Sequence, residues 1–407
     1  MKEAHTLELL LLLAVIIVAS KTAGALSNRI GQPAVFGELL IGLILGPTVL
    51  NVLGWPVFHG AELGVFVKAL GEIGVIFLMF LAGMETELDQ MRRVGRAATS
   101  AALGGVVLPF GAGAALGMLF GFGLYESLFI GTILTATSVS ISAQTLLELG
   151  QLRSKEGTAI LGAAVIDDVV GIIILSFVVA FGGANATGDL GSVAFLVVRI
   201  IAYFIIAILA GRFLFERILG WVDRRLRASE VLLAFSVVLI LLYSWSAEAL
   251  GHVAAITGAY IAGILFAQTR FKHQLEDKIK VISYGFFVPI FFVSIGLQAN
   301  ARELGGTVLF TTLIILAAIL TKIGGAMFGG ILGHLTLKES IRVGTGMVSR
   351  GEVALIVANI GLGAGVIGRD IFTVMVLMTL VTTLVTPIML RALFERAPEP
   401  EGERGQA

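Results

Sequence analysis

An all-α membrane protein with thirteen transmembrane helices is the fold class that this sequence predicts, and three observations carry that expectation. Apolar residues make up 57% of the 407 and charged residues only 14%, too little charge to cover a water-facing surface; mean hydropathy is +0.98. The apolar residues fall into runs of about 20, the length that crosses the hydrocarbon of a bilayer. Lysine and arginine then alternate in density from one loop to the next, as topology in a membrane requires.

In chain order the runs lie near residues 7–25, 33–54, 64–86, 97–120, 125–148, 157–182, 190–216, 229–249, 252–269, 281–298, 305–335, 341–363 and 369–392. The first, from Leu7 to Ser20, lacks a basic n-region and a small-residue cleavage site, so it reads as a retained span rather than a signal peptide. Little more than Gly251–His252 separates the eighth and ninth. With the N-terminus outside, the inner loops collect Lys21 and Arg29; Arg92, Arg93 and Arg96; Arg153 and Lys155; the basic residues from Arg212 to Arg227 and from Arg270 to Lys280; Lys338 and Arg342; and those of the tail. That is 21 of 28 basic residues. Lys2, Lys68, Arg199, Arg302 and Arg369 fall outside, while Lys322 and Arg350 lie within spans. A miscounted span would scramble this pattern, so the reading is N-terminus out and C-terminus in. The tail after residue 396 is short and polar, and no nucleotide-binding or regulatory domain is expected in this chain.

Composition excludes several classes. There are no cysteines, hence no disulfide framework and no thiolate metal site. The net charge is zero, so nothing marks a nucleic-acid partner. The five histidines fall in loops or at span ends without metal-site spacing. The 51 glycines suit close packing of helices in lipid.

The two halves resemble each other at a nearly constant offset. Gly37-Glu-Leu-Leu-Ile-Gly42 matches Gly258-Ala-Tyr-Ile-Ala-Gly263, 221 residues on. Phe77-Leu-Met-Phe-Leu-Ala-Gly83 matches Ile290-Phe-Phe-Val-Ser-Ile-Gly296, and Leu108 to Gly117 matches Thr321 to Gly330, both 213 residues on. Spans 1–6 thereby pair with spans 8–13, leaving span 7 as a linker. An odd number of crossings separates equivalent points, so the second six-helix repeat is inverted. Inverted repeats are the signature of secondary transporters, with the site at midplane where the repeats meet.

Four spans place polar residues at that depth. Asp167 and Asp168 sit near the middle of span 6, Lys322 near the middle of span 11, Arg350 and Glu352 in span 12, and Thr135-Ala-Thr137-Ser138-Val-Ser140-Ile-Ser142 in span 5. An ionisable group at the bilayer centre costs about 3 kcal/mol or more, so it persists when paired or functional. Adjacent aspartates point about 100° apart on a helix; one can pair with Lys322 while the other faces a wet cavity. A carboxylate there holds either a proton or, through hard oxygen ligands, a small cation, and the two states exclude each other. Spans 5 and 12 read as interrupted helices, and such pairs mark the substrate site. Thr137 and Ser138 are candidate ion ligands, against the plainer reading as helix–helix hydrogen bonds. Glu352 would compensate the positive half-helix ends and Arg350 the negative ones, the plainer reading being an ion pair in which each neutralises the other. Glu38 and Glu72 lie outside this cluster and are not taken as site residues.

Together these residues resemble the monovalent cation:proton antiporter superfamily, in the sodium/proton branch that contains NapA and NhaA. The resemblance spans essentially all thirteen helices. It rests on Thr135-Ala-Thr-Ser-Val-Ser-Ile-Ser-Ala-Gln144, Gly162-Ala-Ala-Val-Ile-Asp167-Asp168, Phe291-Phe-Val-Ser-Ile-Gly-Leu297, Lys322 and Ser349-Arg-Gly-Glu352. It implies that Asp168 carries the ion and proton and that Asp167 partners Lys322. It implies electrogenic exchange of Na+ or Li+ for H+, the ions being cargo, with no cofactor. It further implies a homodimer in the inner membrane of a bacterial or archaeal cell. The dimer domain would comprise residues 1–96 and 229–303, and the mobile core residues 97–189 and 304–396. Residues 190–228 would be the linker helix and 397–407 the cytoplasmic tail; two discontinuous crossing helices and an elevator-like movement complete the picture. Two alternatives share the fold: a K+/H+ exchanger and a sodium-coupled organic-solute symporter. An intramembrane aspartyl protease needs two aspartates facing each other from different helices, which adjacent residues cannot supply; no enzyme is expected.

Overall fold

The apolar runs become helices in the computed structural model, which describes residues 2–58, 62–86, 88–182, 190–226, 230–298 and 308–394. Among the described residues, ten helical stretches are long and apolar enough to cross a membrane, and three shorter apolar helices join them. The order is α1 (Lys2–Arg29), α2 (Ala34–Leu45), α3 (Leu63–Glu85), α4 (Leu88–Leu119), α5 (Leu124–Thr135), α6 (Val139–Glu148), α7 (Lys155–Gly182) and α8 (Leu190–Arg225). Then follow α9 (Val231–Ala249), α10 (Ala255–Phe266), α11 (Lys272–Ile282), α12 (Val288–Leu297), α13 (Val308–Leu332), α14 (Leu337–Gly346), α15 (Glu352–Gly363) and α16 (Arg369–Leu393).

Two features differ from the plain hydropathy pattern. Helices α2 and α10 have only 12 residues each, about 18 Å at the rise of an α-helix against a hydrocarbon of about 30 Å. The stretch expected at 281–298 begins earlier, at Lys272, and runs through one π turn at Ser283–Phe287 into α12. Its first part, Lys-His-Gln-Leu-Glu-Asp-Lys-Ile-Lys, is polar on one side and buries Leu275 and Ile279 on the other, so a hydropathy count passes over it.

Glycine sets how closely these helices approach, and the approaches come in pairs. A Cβ on Gly42 of α2 would lie 2.5 Å from the carbonyl of Val293 on α12, and one on Gly296 would lie 2.3 Å from the carbonyl carbon of Gly42. The partner contact joins α3 to α10: Gly83 would meet the Tyr260 carbonyl at 2.2 Å and Gly263 the Phe80 carbonyl at 2.1 Å. Gly42 and Gly263 stand 221 residues apart and Gly83 and Gly296 stand 213 apart, the offsets of the sequence repeat. The same holds for Gly131 against the Phe110 carbonyl (2.5 Å, α5 on α4) and Gly344 against the Ile323 carbonyl (2.6 Å, α14 on α13), again 213 residues apart. Between the halves, α4 and α13 touch through Gly104 and Gly325, each of which would bring a Cβ within 2.2 Å of the other's carbonyl oxygen.

Because the atom opposite Gly263 is backbone, an added methyl must push α10 off α3, and overpacking of this kind costs about 1–3 kcal/mol. Gly263→Ala is therefore expected to lower the melting temperature of the detergent-purified protein. Gly111→Ala on α4, where a Cβ meets nothing within 4 Å, is expected to leave it unchanged or raise it, since alanine is the better helix former.

Candidate functional site

The hydroxyl-rich run separates α5 from α6. Serine and threonine hydroxyls compete for the backbone groups a helix would use, and the chain becomes extended after Thr135, with Ala136 at φ −54° and ψ 142° and Ser138 at φ −101° and ψ 105°. Helix α14 opens on a capping box, Thr336 with Glu339, and stops at Gly346; α15 resumes at Glu352. The two breaks meet each other. The Ser138 N–H donates to the Ser349 carbonyl (2.8 Å), and the Ser349 hydroxyl donates to the Ser138 carbonyl (2.6 Å). Ser142 Oγ donates to the Gly346 carbonyl (2.5 Å) and lies 3.2 Å from Ser349 Oγ. Gly351 permits this approach, since a Cβ there would lie 2.6 Å from Ser138 Oγ.

Each break leaves the carbonyls of a helix C-terminus without intrahelical partners and carries the negative end of a helix dipole. Two fully buried cations answer them. Arg350 Nη1 donates to the carbonyls of Met347 and Val348 (both 3.2 Å), just beyond α14. Its Nη2 donates to the Leu134 carbonyl at the end of α5 (2.8 Å) and to Ala318 on α13 (3.4 Å). The Arg350 carbonyl accepts from the Thr383 hydroxyl of α16. Lys322 Nζ on α13 donates to the carbonyl of Thr135, the last residue of α5, at 2.8 Å, and to Asp167 Oδ1 on α7 at 2.9 Å. Lys322 is 0% and Asp167 2% exposed. The Arg350 guanidinium thus meets the ends of two helices; the side chain of Glu352, with which an ion pair is the plainer reading, lies outside the described residues.

Asp168, one step along α7, turns elsewhere. It is 7% exposed, and its Oδ2 accepts a hydrogen bond from Thr257 Oγ1 of α10 (3.3 Å). Of the candidate ligands in the break, Ser138 Oγ lies 3.1 Å from Ser140 Oγ, while the buried Thr137 Oγ1 has no hydrogen-bond partner among the described residues. The structure thus joins Asp167, Lys322, the end of α5, Ser138 and Arg350 around one crossing, and sets Asp168 against α10. Chemically, this is a carboxylate neutralised by an ammonium beside a second buried carboxylate that accepts a hydrogen bond from a neutral hydroxyl.

Two features escape the sequence reading. Thr257 is one hydroxyl in the apolar stretch Ala254-Ala-Ile-Thr257-Gly-Ala, and its isolation was the available signal. Glu148, at the end of α6, is not among the candidates read from the sequence. Its carboxylate accepts from the N–H groups of Ala34 (2.5 Å) and Val35 (3.2 Å), which begin α2, and from Gln144 Nε2 (2.8 Å). Beside it Glu38 meets Lys21 at 3.3 Å, and the two carboxylates line a cavity of about 280 Å³. A second cavity, of about 160 Å³, reaches Gly351 from the other ends of the helices, past Lys68, Glu72, Asn359 and Thr379.

The family described as sodium/hydrogen exchanger, transmembrane, matches residues 12–396 of the chain. The Na(+)/H(+)-K(+) antiporter GerN of Bacillus cereus is 40% identical over 94% of this chain and 95% of its own. The Na(+)/H(+) antiporter of Enterococcus hirae is 34% identical over 95% of this chain and 98% of its own. A solved structure of the sodium proton antiporter MjNhaP1 from Methanocaldococcus jannaschii superposes with a TM-score of 0.66, covering 95% of this chain and 97% of that one at 16% identity, a likeness of fold.

Removing one member of a buried ion pair leaves its partner's charge uncompensated, at about 3–5 kcal/mol. Lys322→Ala is therefore expected to lower the melting temperature markedly, and Lys322→Ala combined with Asp167→Ala is expected to lower it less than the single change. A Lys322→Ala protein that melts like the parent would contradict the pairing.

Proposed function

We propose that this chain, which belongs to the sodium/hydrogen exchanger family, is an antiporter that exchanges Na+ or Li+ for H+ through Asp168. The observation that carries the reading is the buried Lys322–Asp167 pair, 2.9 Å long, fastened to the end of an interrupted helix beside a second buried carboxylate. A structural salt bridge alone accounts for Asp167 and Lys322. It gives no reason to keep Asp168 next to them in a fold that spans the bilayer, where each such group is costly.

In this reading Asp168 is the shared carrier. Deprotonated, its carboxylate offers hard oxygen ligands to a small cation, with Thr137 and Ser138 in the neighbouring break adding neutral oxygens. Protonated, it has no charge to offer, so cation and proton take turns. Asp167 releases or re-forms its bond to Lys322 as the charge beside it changes, which couples a further proton to the cycle and makes exchange electrogenic. Arg350 holds the two helix ends in place through all of this, and Glu352 balances charge at the half-helix N-termini.

The wider architecture follows the same reading. Thirteen spans, counting α5 with α6, α11 with α12 and α14 with α15 as one each, form two inverted six-helix repeats joined by α8. The N-terminus is outside and the C-terminus cytoplasmic. Helices α4–α7 and α13–α16 make the mobile core, α1–α3 and α9–α12 the static dimer domain of a homodimer, and the core moves by an elevator-like displacement. The cavity beside Glu148 then lies on the cytoplasmic side and the one beside Gly351 on the outer side. The name of the Bacillus cereus relative favours a second reading, in which K+ serves as an additional cargo ion.

Both readings meet one assay. Everted vesicles carrying the protein and a pH-sensitive dye are energised, and Na+, Li+ and K+ are added separately. Na+ and Li+ are expected to collapse the proton gradient in the parent and to leave it intact in Asp168→Asn, while that variant keeps the parent's melting temperature and elution volume. Na+-driven proton movement in Asp168→Asn would refute the carrier role. A response to K+ alone would refute the sodium reading.

A further inference from the structure

Many helical threonines in this protein bond back to their own helix. Thr99, Thr132, Thr145, Thr312, Thr321 and Thr373 each donate their hydroxyl to the carbonyl four residues earlier, within their own helix. Thr383 instead donates to the Arg350 carbonyl, and Thr257, placed before any helical carbonyl four residues back, also bonds elsewhere. It sits in the first turn of α10, is 2% exposed, and sends its hydroxyl 3.3 Å across to Asp168 Oδ2 on α7. The other side-chain hydroxyl of α10, Tyr260, lies 3.1 Å from Thr86 Oγ1 at the end of α3. The surroundings hold Thr257 in place. The next residue, Gly258, would bring a Cβ within 2.4 Å of the Tyr243 carbonyl on α9, and Gly263 packs against α3. The hydroxyl therefore belongs to the α3–α9–α10 body, and the carboxylate it touches belongs to α7.

Chemistry decides what such a hydroxyl is for. It donates to a bare carboxylate, and the helix N-terminus behind it favours negative charge at that place. The same oxygen has two lone pairs, and rotation about one bond turns them toward a cation seated on Asp168. A hard monovalent cation takes neutral oxygens readily beside a carboxylate. We propose that Thr257 is a ligand of the transported cation contributed by the static body, and that it sets cation affinity in the conformation in which α7 stands against α10. This rests on the exchange reading above, with Asp168 as carrier. Its consequence is asymmetry: once the core has moved, Asp168 leaves Thr257 behind, and the cation is held without it on the opposite side of the membrane. Loading and release then occur at sites of different affinity built from one carboxylate.

The test uses the full-length protein reconstituted in liposomes, with the KM for Na+ measured from each face in turn, for the parent, Thr257→Val and Thr257→Ser. Valine keeps the shape and removes the hydroxyl; serine keeps the hydroxyl. Thr257→Val is expected to raise KM about tenfold on one face and less than twofold on the other, the loss of one hydrogen-bond-strength interaction with a charged species. Its kcat is expected to stay within about twofold, and Thr257→Ser to restore KM. An unchanged or lowered KM on both faces overturns the proposal, as does an equal rise on both, which would put the hydroxyl on the moving body. Failure of serine to rescue also overturns it, by making the defect one of packing. Parent exchange and its loss in Asp168→Asn are read in the same liposomes, so failure of the exchange reading is seen separately from failure of this one.

Discussion

The carbonyl ends of two interrupted helices, brought together among buried residues, are the constraint on which the rest of this structure depends. A helix that stops in mid-bilayer leaves acceptors without donors in a low-dielectric medium, each worth several kcal/mol if unanswered. The chain answers with backbone bonds between the breaks, Ser138 to Ser349 and back, and with two buried cations. Arg350 spans the ends of α5 and α14. Lys322 takes the Thr135 carbonyl. A buried ammonium in turn demands an anion, and Asp167 supplies it. Breaks, arginine, lysine and aspartate form one chain of necessity.

Asp168 stands outside that chain. It is not among the groups that bond the helix ends, and it accepts a hydrogen bond from a neutral hydroxyl on another helix. In the proposed reading, the contrast between the two neighbouring carboxylates separates a structural ion pair from a carrier. Neighbours on one helix experience different surroundings because successive side chains point about 100° apart. One faces α13 and the break, the other faces α10. In that reading a proton or cation on Asp168 changes the field at the Lys322–Asp167 pair, and the bond between them releases or re-forms in response.

Much of this was legible in the sequence, for physical reasons that differ by residue. The bilayer imposes a length on each apolar run and a cost on each buried charge, so the spans and Asp167, Lys322 and Arg350 announce themselves. The repeat was legible because its glycines mark backbone approaches made twice, as at Gly83 and Gly296 or Gly131 and Gly344. The use of Arg350 at the negative half-helix ends was legible as charge compensation; which four carbonyls it reaches was not, because only the fold brings Leu134 and Ala318 beside Met347 and Val348. Thr257 and Glu148 were not legible either: their partners, Asp168 and the first N–H groups of α2, lie on helices distant in the chain, and no periodicity records a contact of that kind. The polar first part of α11 was hidden by its charge.

Exclusion of proton by cation at one carboxylate is the claim from which the exchange reading follows, and proton release measures it directly. Purified protein in weakly buffered detergent, at a pH where the carrier is partly protonated, would be titrated with NaCl against a choline chloride control while proton release and Na+ binding are recorded together. The expected result is that Na+ binding displaces protons and that Asp168→Asn shows neither signal. Saturable Na+ binding that releases no protons, or that survives unchanged in Asp168→Asn, would contradict it.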